Sequence, residues 1–153
     1  MTLEIGQPAP EFSVLVDENR KVSLKDYKGK KLILYFYPRD DTPGCTLESC
    51  GFRDAYEQSQ SLGAEVLGIS QDGLRSHKKF REKYSLPFDL GSDEEGILCK
   101  LYDVLKQKSM YGRTFWGIER STFLIDAQGK LTHIWRKVDV GGHMKEVLES
   151  LKS

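Results

Sequence analysis

The reactive potential of this 153-residue chain rests on Cys45, Cys50 and Cys99. Two of them fall in the run Tyr37-Pro-Arg-Asp-Asp-Thr-Pro-Gly-Cys-Thr-Leu-Glu-Ser-Cys-Gly-Phe-Arg-Asp54. Thr42 can cap a helix whose first residue is Pro43, which places Cys45 in the first turn. Unpaired N–H groups and the positive end of the helix dipole favour a thiolate there, and the thiolate is the nucleophilic form of cysteine. Free cysteines are commonly inert buried hydrophobes, but the cap and the proline single out Cys45 as a candidate nucleophile. Asp40 and Asp41 oppose that role, because nearby negative charge disfavours a thiolate. A cation must therefore stand close, and Arg120 is the candidate.

Five residues along a helix give a rotation of about 140° and a rise of about 7.5 Å, so Cys45 and Cys50 point apart while the helix is intact. A disulfide needs Cα atoms roughly 4.4–6.8 Å apart. The first turns must unwind before the two can join, and Gly44 and Gly51 make this cheaper. Such a pair suits a transient bond better than a permanent staple. Its spacing also differs from the C-x-x-C of disulfide exchangers. Cys99 lies beside an apolar helical stripe and reads as a packing residue.

These residues need a frame. Lys31 to Tyr37 is a short apolar run suited to a strand buried on both faces. The cysteine loop leaves its carboxyl end, where open α/β sheets place their ligands, and a helix is expected from Cys45 to about Leu62. A strand over 64–70 completes a β-α-β unit with a parallel pair. A second helix is expected over 73–84 with Asp72 as its cap, and Ile97, Leu98, Leu101, Tyr102 and Leu105 repeat at helical spacing. Residues 106–117, polar and glycine-containing, read as an exposed loop able to border a site, with Phe115 and Trp116 either packing or forming its rim. Thr122–Ile125 and Leu131–Trp135 flank Asp126-Ala-Gln-Gly129 as an antiparallel hairpin. Met144, Val147, Leu148 and Leu151 mark a closing amphipathic helix. The fold class is α/β, as a single domain over 1–153.

Lys+Arg 23 balance Asp+Glu 23, so no whole-molecule field draws in nucleic acid or an anionic membrane. No stretch approaches the roughly 20 apolar residues of a membrane span, and three cysteines suit a reducing compartment, so the expectation is a soluble, cytoplasmic protein. His77, His133 and His143 have no metal-ligand spacing and read as surface or packing residues, so no cofactor or metal is expected. Glu48 is either an orienting partner of Arg120 or Arg53, or a solvated acid at a helix start.

The motif Pro38-Arg-Asp-Asp-Thr42-Pro-Gly-Cys45 resembles the peroxiredoxin signature. The longer run to Asp54 resembles the PrxQ, or bacterioferritin comigratory protein, subgroup, and the similarity extends from Gly6 through Glu119–Asp126 to the final helix. The resemblance implies a thioredoxin-like fold, a central mixed sheet flanked by helices. It further implies that Cys45 is peroxidatic, that Cys50 is resolving, and that Pro38, Thr42 and Arg120 complete the peroxide pocket; since some members of the subgroup keep the resolving cysteine in a later helix, Cys99 stands as the alternative. Hydrogen peroxide and organic hydroperoxides are the implied substrates, thioredoxin or a similar dithiol the implied reductant, and a monomer the implied state. A general thiol–disulfide exchanger and a redox sensor stand as rival functions.

Overall fold

The computed structural model describes residues 3–152. Its centre is the predicted apolar strand, β3 (Lys31–Phe36), of which every residue after the first is buried. Alternation along β3 serves two cores. Leu32, Leu34 and Phe36 face one cluster, while Ile33, Tyr35 and, just beyond the strand, Tyr37 face the other.

Before β3 come β1 (Ser13–Asp17), β2 (Arg20–Ser23) and a 3₁₀ turn (Leu24–Tyr27); after it come α1 (Pro43–Asp54), α2 (Tyr56–Ser61) and β4 (Ala64–Ser70). The chain continues through α3 (Leu74–Tyr84), β5 (Asp89–Ser92), α4 (Ile97–Leu101), β6 (Leu105–Met110), β7 (Arg113–Ile118), β8 (Ser121–Ile125), β9 (Leu131–Trp135) and α5 (His143–Leu151). One seven-stranded mixed sheet runs β2-β1-β5-β4-β3-β8-β9. In it β3, β4 and β5 are parallel, and β8 and β1 join them antiparallel. β3-α1-α2-β4 is the expected parallel crossover, and β8-β9 the expected hairpin, with Gly129 at φ 87° in its turn. α5 carries the expected stripe: Val147 and Leu151 are buried, with Met144 and Leu148 packed beside them. No helix among the described residues is long and apolar enough to cross a membrane.

Four expectations are corrected. The helix expected over 45–62 is two, parted at Ala55; the buried Ser59 hydroxyl donates back to the Ala55 carbonyl at 2.9 Å, an i−4 bond of the kind that bends helices. Asp72 does not cap α3, whose N-cap is Gly73; its carboxylate accepts instead from the Asp40 N–H and the Ser70 hydroxyl. Residues 106–117 are not a loop but the hairpin β6-β7. Its turn residues Tyr111 and Gly112 have φ of 53° and 76°, the positive pair a type I′ turn demands. Both strands are largely exposed, so no apolar alternation announces them. His77 is neither a surface nor a purely packing residue but a buried member of a hydrogen-bonded cluster.

One glycine positions the site directly. Gly68 pairs with Tyr35 across β3-β4, and a Cβ there would come within 2.7 Å of the Tyr35 ring. Without it Tyr35 lies over β4, and its hydroxyl meets Ser49 of α1 at 2.8 Å, tying that helix to the sheet.

Candidate active site

Thr42 occupies the N-cap of α1 with extended backbone, and Pro43 follows at the first helical position, as the sequence predicts. The Thr42 hydroxyl, however, donates to the Arg39 carbonyl at 2.9 Å. Cys45 thus lies in the first turn. It is 1% exposed and packs in the cluster with Tyr35, Tyr37 and Phe52.

Arg120 precedes β8, which pairs with β3, so the sheet register carries its guanidinium to the carboxyl end of β3. Its Nη2 donates to Cys45 Sγ at 3.3 Å and its Nη1 to Glu48 Oε1 at 2.7 Å. One planar cation therefore bridges the thiol and a buried acid, a task suited to the fixed fork of arginine. Gly44 makes room for it, since a Cβ at that position would stand 3.1 Å from Nη2. Burial works against the Arg120 charge, but Glu48 and Cys45 together outweigh it and raise the pKa. Glu48 is thus the orienting partner of Arg120 rather than a solvated acid.

Burial pushes Glu48 up to about 7, and Arg120 only partly pulls it back. Its second oxygen is buried without a hydrogen-bond partner among the described residues, in keeping with an under-solvated carboxylate. The folded chain then holds the Glu48 proton more tightly than the unfolded chain, whose ordinary value is near 4.5. This contribution to stability is full below that value and is lost as the pH rises through about 7. Glu48→Gln is therefore expected to remove a fall of about 2–3 kcal/mol in unfolding free energy between pH 4.5 and 8. Urea titrations of both proteins across that range check it, and parallel pH profiles would refute it.

Lys108 of β6 is a second cation, in a strand whose polar sequence gives no sign of it. Its Nζ donates to the Ile118 carbonyl at 2.5 Å, and burial, then the Arg120 charge, lower its pKa while Cys45 raises it. Phe115 is paired with Lys108 across the hairpin and shares its face, whereas Trp116 is paired with Gln107 on the other. Of the two aromatic rim candidates, Phe115 is the one on the face of Lys108.

Cys50 sits on the same helix, half-buried, and all three thiols are free. Gly51 follows it with its Cβ position 3.9 Å from Met144, ordinary contact distance. Gly51→Ala therefore fits the folded helix and stabilises it by about 1 kcal/mol. If Cys45 and Cys50 join in a disulfide, this variant is expected to slow that closure roughly fivefold with the first oxidation unchanged; stopped-flow separation of the two phases checks this. Cys99 packs in the other cluster, with the sheet between it and Cys45, and burial followed by Asp93 pushes its thiol well up. Pro38 is exposed in the loop between β3 and α1. The fold thus brings Cys45, Arg120 and Glu48 into contact, sets Thr42 and Cys50 on either side along one helix, and leaves Pro38 at the surface.

The AhpC/TSA family profile matches residues 5–134. Peroxiredoxin Bcp of Bacillus subtilis is 51% identical over 152 residues, covering 99% of this chain and 97% of the relative. Peroxiredoxin Bcp of Escherichia coli K12 is 41% identical over 150 residues, covering 98% and 96%. The bacterioferritin comigratory protein of Xanthomonas campestris superposes with a TM-score of 0.92 at 39% identity, covering 99% of this chain and 96% of its own. A PrxQ cysteine variant from Xylella fastidiosa gives 0.92 at 40% identity, covering 99% and 97%. The fold is thioredoxin-like. The chain belongs to the AhpC/TSA family, as a peroxiredoxin of the Bcp/PrxQ group.

Proposed function

We propose that this peroxiredoxin reduces hydrogen peroxide and organic hydroperoxides as a single-domain monomer, with Cys45 as the attacking thiolate and Cys50 as the resolving thiol. The observation that carries it is the Arg120 guanidinium held by Glu48 against Cys45 Sγ. A cation there holds the attacking sulfur in place and faces the charge that develops on the departing oxygen. The bacterioferritin comigratory protein of X. campestris, described as having alkyl peroxide reduction activity, supports the organic substrates.

The Cys45 sulfur attacks the terminal oxygen of the hydroperoxide; the S–O bond forms, the O–O bond breaks, and the alkoxide or hydroxide leaves and takes a proton. Thr42, its own proton committed to Arg39, offers lone pairs to the hydroperoxide O–H, and Pro38 would limit water entry. Cys45 is then a sulfenic acid. After the first turns of α1 unwind, the Cys50 thiolate attacks that sulfur, the S–S bond forms as the S–O bond breaks, and the departing hydroxide takes a proton from solvent to become water. Thioredoxin or a similar dithiol restores both thiols by exchange. One equivalent of hydrogen peroxide added to the reduced chain should give a Cys45–Cys50 disulfide with Cys99 free, read by peptide mass after alkylation. A linkage or oxidation at Cys99 with Cys45 untouched would overturn the reading.

A further inference from the structure

The loop that leads from β3 into α1 is held by a buried polar cluster that the chemistry above does not use. The Asp40 carboxylate, 8% exposed, accepts from the Tyr37 hydroxyl at 2.6 Å and the Ser76 hydroxyl at 2.8 Å, and faces His77 Nδ1 at 2.7 Å. The Asp40 N–H donates to Asp72 at 2.8 Å. On its far side the His77 ring meets the Gly91 carbonyl of β5, with Nε2 at 3.0 Å. Asp40, Asp72 and His77 place their ligand atoms within 4.8 Å of one another, but hydrogen bonds inside the protein already occupy them.

A carbonyl oxygen can only accept, so Nε2 carries a hydrogen. Nδ1 then faces a carboxylate oxygen at 2.7 Å, and two lone pairs do not approach so closely. One further proton lies between them, on the imidazole or on the acid, and in either case the pair is neutral overall. Asp41, the other acid of the loop, is balanced by Lys83 at 2.8 Å, with the Tyr84 hydroxyl also donating to it. Both acids of the loop thus find partners on α3.

We propose that His77, acting through Asp40, is a positioning residue for peroxide attack: the shared proton fixes the loop that carries Thr42 into α1 and removes the charge of Asp40. This rests on Cys45 being the attacking thiol. The ring reaches the loop from a different helix and strand, so it holds the segment against a fixed part of the sheet. A displacement of about 1 Å at a reacting group can cost roughly 100-fold in rate.

The test uses the full chain and the second-order rate of Cys45 oxidation by hydrogen peroxide. His77→Asn can still donate to Asp40 but cannot supply its proton, so it leaves a net negative charge; a fall of roughly 10- to 100-fold is expected. Asp40→Asn, whose amide can donate to a neutral His77, keeps the pair neutral and should stay close to the native rate. The double variant should recover much of the loss, which a mere packing defect at position 77 would not allow. Melting curves establish that each variant is folded, and if His77→Asn does not fold, His77→Gln, which carries the same amide on a longer stem, takes its place with the same expected fall. A native rate in His77→Asn, no recovery in the double variant, or a slow Asp40→Asn would each overturn the proposal. If the native chain did not oxidise at Cys45 at all, the reading of the thiol site would fall with it.

Discussion

Cys45→Ser is expected to abolish peroxide reduction, and Cys50→Ser to stop it after about one peroxide per chain. A serine hydroxyl remains protonated where a thiol ionises, so the first variant has no nucleophile while its surroundings are nearly unchanged. The second keeps the thiol, the Arg120 bridge and the helix start, and so should still form the sulfenic acid. What it lacks is the partner on α1. Cys99 cannot take that place in the folded chain, since it belongs to the opposite core and its thiol is held protonated by burial. NADPH loss coupled through thioredoxin and its reductase, with peroxide counted separately, reads both variants. Normal turnover in Cys50→Ser would mean an external thiol resolves Cys45; normal turnover in Cys45→Ser would remove the basis of the proposed function.

Arg120→Met is expected to lower the rate of Cys45 oxidation by roughly 10²–10³-fold, the usual cost of losing one donor aimed at developing charge. Methionine keeps most of the side-chain volume and removes the donors to Cys45 Sγ and Glu48 Oε1 together. The loss has a second sign. Glu48, 4% exposed, would then be an acid with neither oxygen partnered, so its pKa should rise further and its ionisation should cost more stability at alkaline pH. Arg120→Lys should recover only part of the rate, because a single ammonium cannot make the two-armed contact. A rate in Arg120→Met within a few-fold of native would show that the bridge is structural.

The chemistry was legible in one short stretch because the signals involved are local. A capping threonine, a proline at the first helical position and a cysteine in the first turn depend on consecutive backbone geometry, and the structure keeps them in place. The same holds for β3, whose unbroken apolar run reflects burial on both faces, and for the β8-β9 turn, where Gly129 takes a positive φ.

Other features were set by contacts between distant segments. β6-β7 has little apolar pattern because so little of it is buried, and Tyr111 takes a conformation that sequence signals assign to Asn or Asp. Asp72, a plausible cap by position, is drawn into a bond with a loop 32 residues earlier. His77 shows no ligand spacing because its partners come from the β3 loop and from β5. Sequence alone determined which residue types stand at the start of α1 and that an acid-rich loop there requires compensating cations. Arg120 was already the candidate among them, and only the tertiary structure paired Asp41 with Lys83 and Asp40 with His77. Arg120, Lys83 and His77 lie far from the loop along the chain, and a charge interaction depends on distance through space, which the sheet order and its register establish.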